Sequence, residues 1–379
     1  MLRLLTYPAN IGVALLIGII FSLMPFSYFY ETPEPFYILL LMSVCIFYIF
    51  ISIFFKRDVY VDKGNNGSSY KIFMIISAVG FAIEFSVGGM PIHVGRENAV
   101  TIPVFHVIFY SFIIMAVLLA SVYGRKRDIA LSLTYAIVMS ALMLSRQMMI
   151  VSFIIVVIAI ASKTRFNRKN KLYLIVSFVA VVVIFGILGN LRQQLSGDYV
   201  NDYIYRVGGA NADGMRIGDT MYWLWLYIAS PVYNLMQNLD SYYQYGDGCN
   251  MSIAYGSCDG NYLLSVIVPD TISKYFSEPF EIDMVMKHLN AGTAFSASAR
   301  ILGFAGILLQ VAFQLILYIV GILLTTKRNR RSFVVYFSVL SFFMIFDNLF
   351  VKGEFFFVLL MIISSGKEFT LWRTVRPVG

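Results

Sequence analysis

Long runs of residues without a formal charge dominate the sequence and constrain its fold more than any other feature. A helix that crosses a lipid bilayer needs about 20 mostly apolar residues. Outside residues 192–299, five runs reach this length without interruption: Ile11–Tyr30, Pro35–Phe55, Asn98–Gly124, Leu172–Leu191 and Ile301–Thr326. Each of them predicts a transmembrane helix.

Five further spans are predicted from runs that a few charges interrupt or bound. Glu84 alone interrupts Ile72–Gly95, Arg146 separates Ile129–Ser145 from Gln147–Ser162, and Ser332–Gly366 is long enough for a final pair. Only 13% of the residues are charged, against roughly 25% in soluble domains, which excludes an ordinary soluble protein. We therefore predict an all-α, multi-pass membrane protein with about ten transmembrane helices.

Basic residues fix the orientation of these spans, because Lys and Arg concentrate in cytoplasmic loops. Every second connection is basic; with both termini, these connections carry a net charge of +16, and the rest of the chain carries −8. We therefore expect both termini in the cytoplasm. Basic runs such as Lys327–Arg331 are typical of segments that face anionic lipid, so nucleic acid is not expected as a partner.

One large extracytoplasmic segment follows from this orientation. It covers residues 192–299, between an N-terminal bundle of seven spans at residues 1–191 and a C-terminal group of three at residues 300–379. The segment carries most of the polar residues outside the cytoplasmic loops. We expect the chemistry of the protein to lie there and in the short outer connections.

Thr220–Leu239 within this segment is uncharged and long enough to cross the membrane. A single crossing would place Lys327–Arg331 outside, against the charge rule. We therefore predict an interfacial or re-entrant helix here, with its Trp and Tyr residues at the level of the lipid headgroups. A second crossing within Asn261–Phe276 would restore the orientation and give twelve spans, which is the alternative.

Arginines on the acidic outer side are the main candidates for substrate binding. Arg146 lies where two short spans meet, and Arg96 follows a Gly88–Gly89–Met90–Pro91 helix stop. Four more are Arg192, Arg206, Arg216 and Arg300. Arginine binds phosphate oxygens through two parallel hydrogen bonds, so a cluster of them suits a lipid-linked pyrophosphate. The alternative is that some pair with nearby acids, such as Asp213, for structural reasons.

Acidic, histidine and aromatic residues complete the candidate site. His288 is the histidine that we favour as a catalytic residue, and Glu84 is a functional candidate because a carboxylate within a span is costly. Trp223 and Tyr222 are candidates for substrate contact. Glu281 and Asp283 form an E-x-D pattern that can hold a divalent metal, but the match is weak, so we expect no cofactor.

Short motifs in the sequence resemble those of the Wzy-type polymerases of bacterial O-antigens, and its layout is also similar to that of O-antigen ligases. The motifs are a Gly-Gly-x-Pro turn before an arginine (Gly88, Gly89, Pro91, Arg96), a Ser-Arg-Gln turn (Ser145, Arg146, Gln147) and a Ser-Pro-x-x-Asn element (Ser230, Pro231, Asn234). The shared layout is ten to twelve spans with one dominant late periplasmic loop.

This resemblance implies a GT-C-like glycosyltransferase in the bacterial inner membrane with its active face in the periplasm. Its substrates would be undecaprenyl-pyrophosphate-linked repeat units and the growing glycan, and a chain-length-determining co-polymerase would be a partner. Arg146, Arg96 and His288 would be catalytic, and the other arginines, Glu84 and the aromatic residues would bind substrate. The alternatives are an O-antigen ligase and, from a different class, a lipid-linked oligosaccharide flippase or other transporter.

The predicted orientation can be tested on two cysteines. Cys249 and Cys258 would lie on the oxidising side of the membrane, where a disulfide is expected, and closing this loop would stabilise the protein by roughly 2–3 kcal/mol. Peptide mapping with and without reductant should recover the two as one linked peptide. Free thiols at both positions would contradict the orientation.

Overall fold

The computed structural model describes residues 2–55, 69–95, 98–163, 202–245, 262–276, 280–286 and 291–365. Within these ranges the chain is all-helical, and the pairing of Ser27 with Ala210 is a single isolated bridge rather than a strand.

Ten long helices form the described structure: α1 Ala9–Ser22, α2 Pro35–Ile51, α3 Ser69–Gly88, α4 Pro103–Tyr123, α5 Lys126–Leu142, α6 Arg146–Lys163, α7 Asp219–Tyr245, α8 Ser296–Leu324, α9 Arg330–Phe343 and α10 Gly353–Ser364. Shorter helical turns occupy Leu2–Leu5, Pro91–Val94, Tyr203–Gly208, Ala212–Arg216, Leu263–Ile267 and Asp270–Ser273. Nine of the ten predicted spans coincide with a long helix, and the remaining span, Leu172–Leu191, lies outside the described residues.

Within the part of the chain that the structure describes, three helical segments are long and apolar enough to cross a membrane: Ser69–Val94, Pro103–Tyr123 and Ser296–Leu324. Four shorter helices are also apolar: Ala9–Ser22, Pro35–Ile51, Arg146–Ser162 and Gly353–Ser364. Large apolar side chains are exposed on α2, α3 and α8, where Leu39, Ile75 and Leu323 are 69%, 63% and 75% exposed. Exposed apolar surfaces of this kind suit contact with lipid, so the fold is that of a helical membrane protein.

The first helix ends at Ser22 and is therefore shorter than the run Ile11–Tyr30 predicts. Side chains of α7 satisfy its last carbonyls: Trp225 Nε1 donates to Phe21 O at 2.9 Å, and the Tyr233 hydroxyl donates to Ser22 O. The residues after Pro25 instead run alongside residues 208–211, and Tyr28 N donates to Gly209 O at 2.8 Å. Carbonyls at a helix end need such partners, and here α7 provides them.

Helix α7 contains the predicted interfacial segment Thr220–Leu239, and the structure confirms that this segment is helical. Trp223 and Trp225 are buried within the protein, at 3% and 2% exposure. Their level relative to a membrane stays a prediction.

The contacts of α7 fall at the ends of other helices. Besides the end of α1, α7 contacts the start of α2, where the Tyr37 hydroxyl donates to Asp240 Oδ1 at 2.8 Å. It also contacts the start of α6 through Arg146. Near the start of α8, Gly303 takes a positive φ of 58° and lies so close to the ring of Tyr242 that a Cβ would come within 2.4 Å. These contacts are those of a helix that lies across one end of the bundle, which we call the α7 end.

Candidate functional site

Arg146 is positioned by a tight turn at the α7 end. Helix α5 stops in a Schellman motif: Ser145 N donates to Ser140 O at 2.8 Å and Leu144 N donates to Ala141 O at 3.1 Å. This motif needs a left-handed residue, and Leu144 supplies it with φ 51° although such a conformation costs a non-glycine residue roughly 1–2 kcal/mol. Helix α6 then begins at Arg146 itself.

Two aromatic residues on one face of α7 receive the Arg146 side chain. Its guanidinium carbon lies 5.7 Å from the ring centroid of Trp223 and 5.2 Å from that of Tyr227. Because residues four apart share a helix face, both rings point at the same cation, and cation–π attraction of this kind is worth about 0.5–2 kcal/mol. Both rings therefore lie within cation–π distance of the guanidinium.

A hydrogen-bonded pair of a carboxylate and an imidazole joins α3 and α4 at the same end of the bundle. Glu84 Oε1 lies 2.9 Å from Nδ1 of His106, and the side chains are 4% and 30% exposed. The structure provides a histidine as the partner of Glu84. His106 was not among the predicted site residues, since a lone histidine in an apolar run is usually structural.

Tyr110 connects this pair to the Arg146 turn. It lies one turn after His106 on α4, with ring centroids 6.0 Å apart. Its hydroxyl is 3.5 Å from Ser145 Oγ, at the long limit of a hydrogen bond. Its ring also packs edge-on against Phe355 of α10. The structure therefore links Glu84, His106 and Tyr110 to the residue that precedes Arg146.

The connection between α9 and α10 lies at the same end and adds further polar residues. Lys352 Nζ lies 3.6 Å from Asp347 Oδ2, and the charge of this carboxylate raises the pKa of Lys352. Asp270 Oδ1 accepts from Gly353 N at 2.9 Å. On α4, Ser111 Oγ donates to Glu354 O at 2.6 Å. Lys352 and Asp347 were not predicted as site residues.

Two asparagines of α7 hold an extended segment of the large loop. Asn238 Nδ2 donates to Asp283 O at 2.7 Å, and its Oδ1 accepts from Asp283 N at 3.0 Å. Asn234, from the Ser-Pro-x-x-Asn element, accepts from Val285 N and donates to Ala291 O. Both side chains are fully buried. These amides bind the loop backbone as a neighbouring strand would.

Arg300 is paired through this same segment. Its Nε lies 2.8 Å from Asp283 Oδ2, and its side chain is 19% exposed. Asp283 is thereby engaged with an arginine, and its E-x-D partner Glu281 is exposed. Among the described residues, no group of three or more His, Cys, Asp or Glu side chains could hold a metal ion.

The other predicted site residues fall into two groups. In the first group, Arg216 is 80% exposed and pairs with Asp213 three residues earlier, and Arg206 is also exposed. Tyr222 is buried and its hydroxyl donates to Gly208 O at 2.8 Å. Arg96, Arg192, His288, Cys249 and Cys258 lie outside the described residues.

The comparisons with known proteins identify no relative. No family model matches the sequence, and neither the curated proteins nor the solved structures contain a significant match. The resemblance to O-antigen polymerases therefore stays a prediction.

The asparagine contacts can be tested by truncation. Asn238→Ala removes three hydrogen bonds, two to the Asp283 backbone and one to Asn234 O, so we expect a loss of about 1–3 kcal/mol of stability. It should lower the melting temperature of the detergent-solubilised protein and speed proteolysis near Asp283. The matched control is Gln244→Ala, which removes an exposed amide on the same helix that donates to Asp240 Oδ2. Equal melting temperatures for the two variants would contradict the assigned role of Asn238.

Proposed function

We propose that this protein is a membrane glycosyltransferase that polymerises lipid-linked oligosaccharide repeat units on the extracytoplasmic side of a bacterial inner membrane. The observation that carries the proposal is Arg146, held over Trp223 and Tyr227 at the α7 end. The sequence motifs shared with Wzy-type polymerases, described above, support the same assignment. The proposed substrates are the undecaprenyl-pyrophosphate-linked repeat unit and the growing glycan, and a chain-length-determining co-polymerase is the proposed partner.

The proposed topology has ten spans in a GT-C-like arrangement, with the α7 end outside. The contacts of α7 with the ends of α1, α2 and α6 favour a helix that lies across the bundle over one that crosses the membrane. The opposite end carries the exposed basic residues Arg125 and Arg127, as expected for a cytoplasmic face. In this orientation, Arg146 lies at the outer surface.

Arg146 is suited to stabilise a pyrophosphate leaving group. When the bond between the anomeric carbon and the phosphate oxygen breaks, negative charge develops on that oxygen. A preorganised cation at this place stabilises the transition state more than the ground state. The rings of Trp223 and Tyr227 hold the guanidinium in place through cation–π contacts before substrate arrives, so little reorganisation is needed.

The distribution of charge favours this enzyme over a transporter. A carrier for a charged lipid-linked glycan would need polar groups through the depth of the membrane. Among the described residues, Glu84 is the buried charged side chain, and it lies close to the end of α3. The polar residues of the candidate site are gathered at one end of the bundle.

The test is substitution of Arg146 in the living cell. In a strain that lacks the chromosomal gene, Arg146→Ala should abolish the ladder of long surface polysaccharide, since loss of one such stabilising donor costs about 100- to 1,000-fold in kcat. Arg146→Lys keeps the charge but not the planar fork and should restore a faint, short ladder. The matched control is Arg127→Ala, which removes the same charge from the opposite end of α5 and should give the wild-type pattern.

Gel electrophoresis of the lipopolysaccharide also distinguishes a polymerase from a ligase. Loss of a polymerase leaves lipopolysaccharide capped with a single repeat unit, whereas loss of a ligase leaves no cap. A deletion strain without any cap would support a ligase. A full ladder with Arg146→Ala would show that the assignment of Arg146 is wrong.

A further inference from the structure

Glu84 and His106 form a hydrogen-bonded pair that has no role in the function as proposed so far. One carboxylate oxygen of Glu84 faces Nδ1 of His106 at 2.9 Å. The other, Oε2, is buried and has no hydrogen-bond partner among the described residues. A carboxylate that served only the fold would be expected to satisfy both oxygens, because leaving a buried acceptor without a partner is costly.

The two residues differ in their access to the surface. Glu84 is 4% exposed, whereas His106 is 30% exposed and lies in the first turn of α4. The histidine ring therefore reaches the surface while its acidic partner stays inside. Phe81 packs edge-on against this ring at 5.7 Å, and Tyr110 lies 6.0 Å away on the next turn of α4. The ring is held on three sides.

We propose that His106 accepts the proton of the attacking sugar hydroxyl during glycosyl transfer and that Glu84 positions it; this inference rests on the proposed function. A carboxylate at Nδ1 favours the tautomer in which Nδ1 carries the proton, which leaves the lone pair on Nε2. Glu84 also stabilises the imidazolium that forms once Nε2 is protonated, as the carboxylate of a catalytic triad does.

The step balances without a further reactant. The O–H bond of the acceptor hydroxyl breaks and its proton passes to Nε2 of His106, while the oxygen bonds to the anomeric carbon of the donor. The bond from that carbon to the phosphate oxygen breaks, and its electron pair stays with the pyrophosphate. Release of the proton from Nε2 to water restores the neutral imidazole.

Tyr110 lies between this proposed base and the turn that carries Arg146. It contacts His106 on one side, and its hydroxyl is 3.5 Å from Ser145 Oγ on the other. Ser145 directly precedes Arg146. Contacts through Tyr110 and Ser145 thus connect the proposed proton acceptor to the proposed cation for the leaving group.

The experiment measures polymerisation by the purified full-length protein in lipid nanodiscs. The probe is the lipid-linked repeat unit extracted from the deletion strain, and initial rates at several concentrations give kcat and KM. His106→Gln should lower kcat by about 100- to 10,000-fold, the usual contribution of general base catalysis, and change KM by less than about threefold. Imidazole added to His106→Ala should restore part of the rate, which would not occur if His106 had only a structural role.

Variants of Glu84 distinguish a role in positioning His106 from a role in packing. Glu84→Gln keeps an oxygen that accepts from Nδ1–H but loses the charge, so kcat should fall at least tenfold with KM nearly unchanged. Glu84→Asp should recover part of this loss. The matched control is His93→Gln, since His93 is exposed in the turn Pro91–Val94 and has no ion pair among the described residues; it should retain the wild-type kcat.

The outcomes distinguish this inference from the function on which it rests. A wild-type protein that extends no glycan would overturn both. An active wild-type protein together with a wild-type kcat for His106→Gln would overturn the role of His106 alone. A slow His106→Ala that imidazole does not restore, with Glu84→Gln fully active, would also overturn it. If the His106 variants fold poorly, the kcat of Glu84→Gln tests the inference instead, because this variant preserves the hydrogen bond to His106.

Discussion

The absence of water inside a membrane is the constraint on which this structure depends. Backbone groups there must find partners within their own helix, so apolar runs form helices and polar side chains collect where helices end. The Schellman turn before Arg146 and the bonds from α7 to the last carbonyls of α1 show how these ends are satisfied. Chemistry in such a protein is confined to helix ends and to the loops that cover them.

The arginines of the candidate site differ in the residues that contact them. Arg216 is exposed beside its own acid and Arg300 is paired with Asp283, so their charges are already engaged. Arg146 instead lies within cation–π distance of two aromatic rings, those of Trp223 and Tyr227. The aromatic contacts therefore distinguish Arg146 from these two arginines.

Much of the fold followed from the length of the apolar runs, because helix length and hydrophobicity are local properties. The early end of α1 did not, since it depends on Trp225 and Tyr233, about two hundred residues away. The pairing of Glu84 with His106 was missed for the same reason: it joins two helices, and either residue alone gives a weak signal. A titratable residue in each of two consecutive apolar runs, near the shared outer connection, is the pattern that could have indicated it.

The central claim is that the α7 end of the bundle binds the pyrophosphate of a lipid-linked glycan. A cryo-electron microscopy structure of the full-length protein in nanodiscs with undecaprenyl pyrophosphate tests it most directly. The account predicts phosphate density within hydrogen-bond distance of the Arg146 guanidinium, with α7 lying across the outer bundle end and the Glu84–His106 pair facing the same site. Phosphate bound at the basic end near Arg127, or an α7 that crosses the membrane, would contradict it.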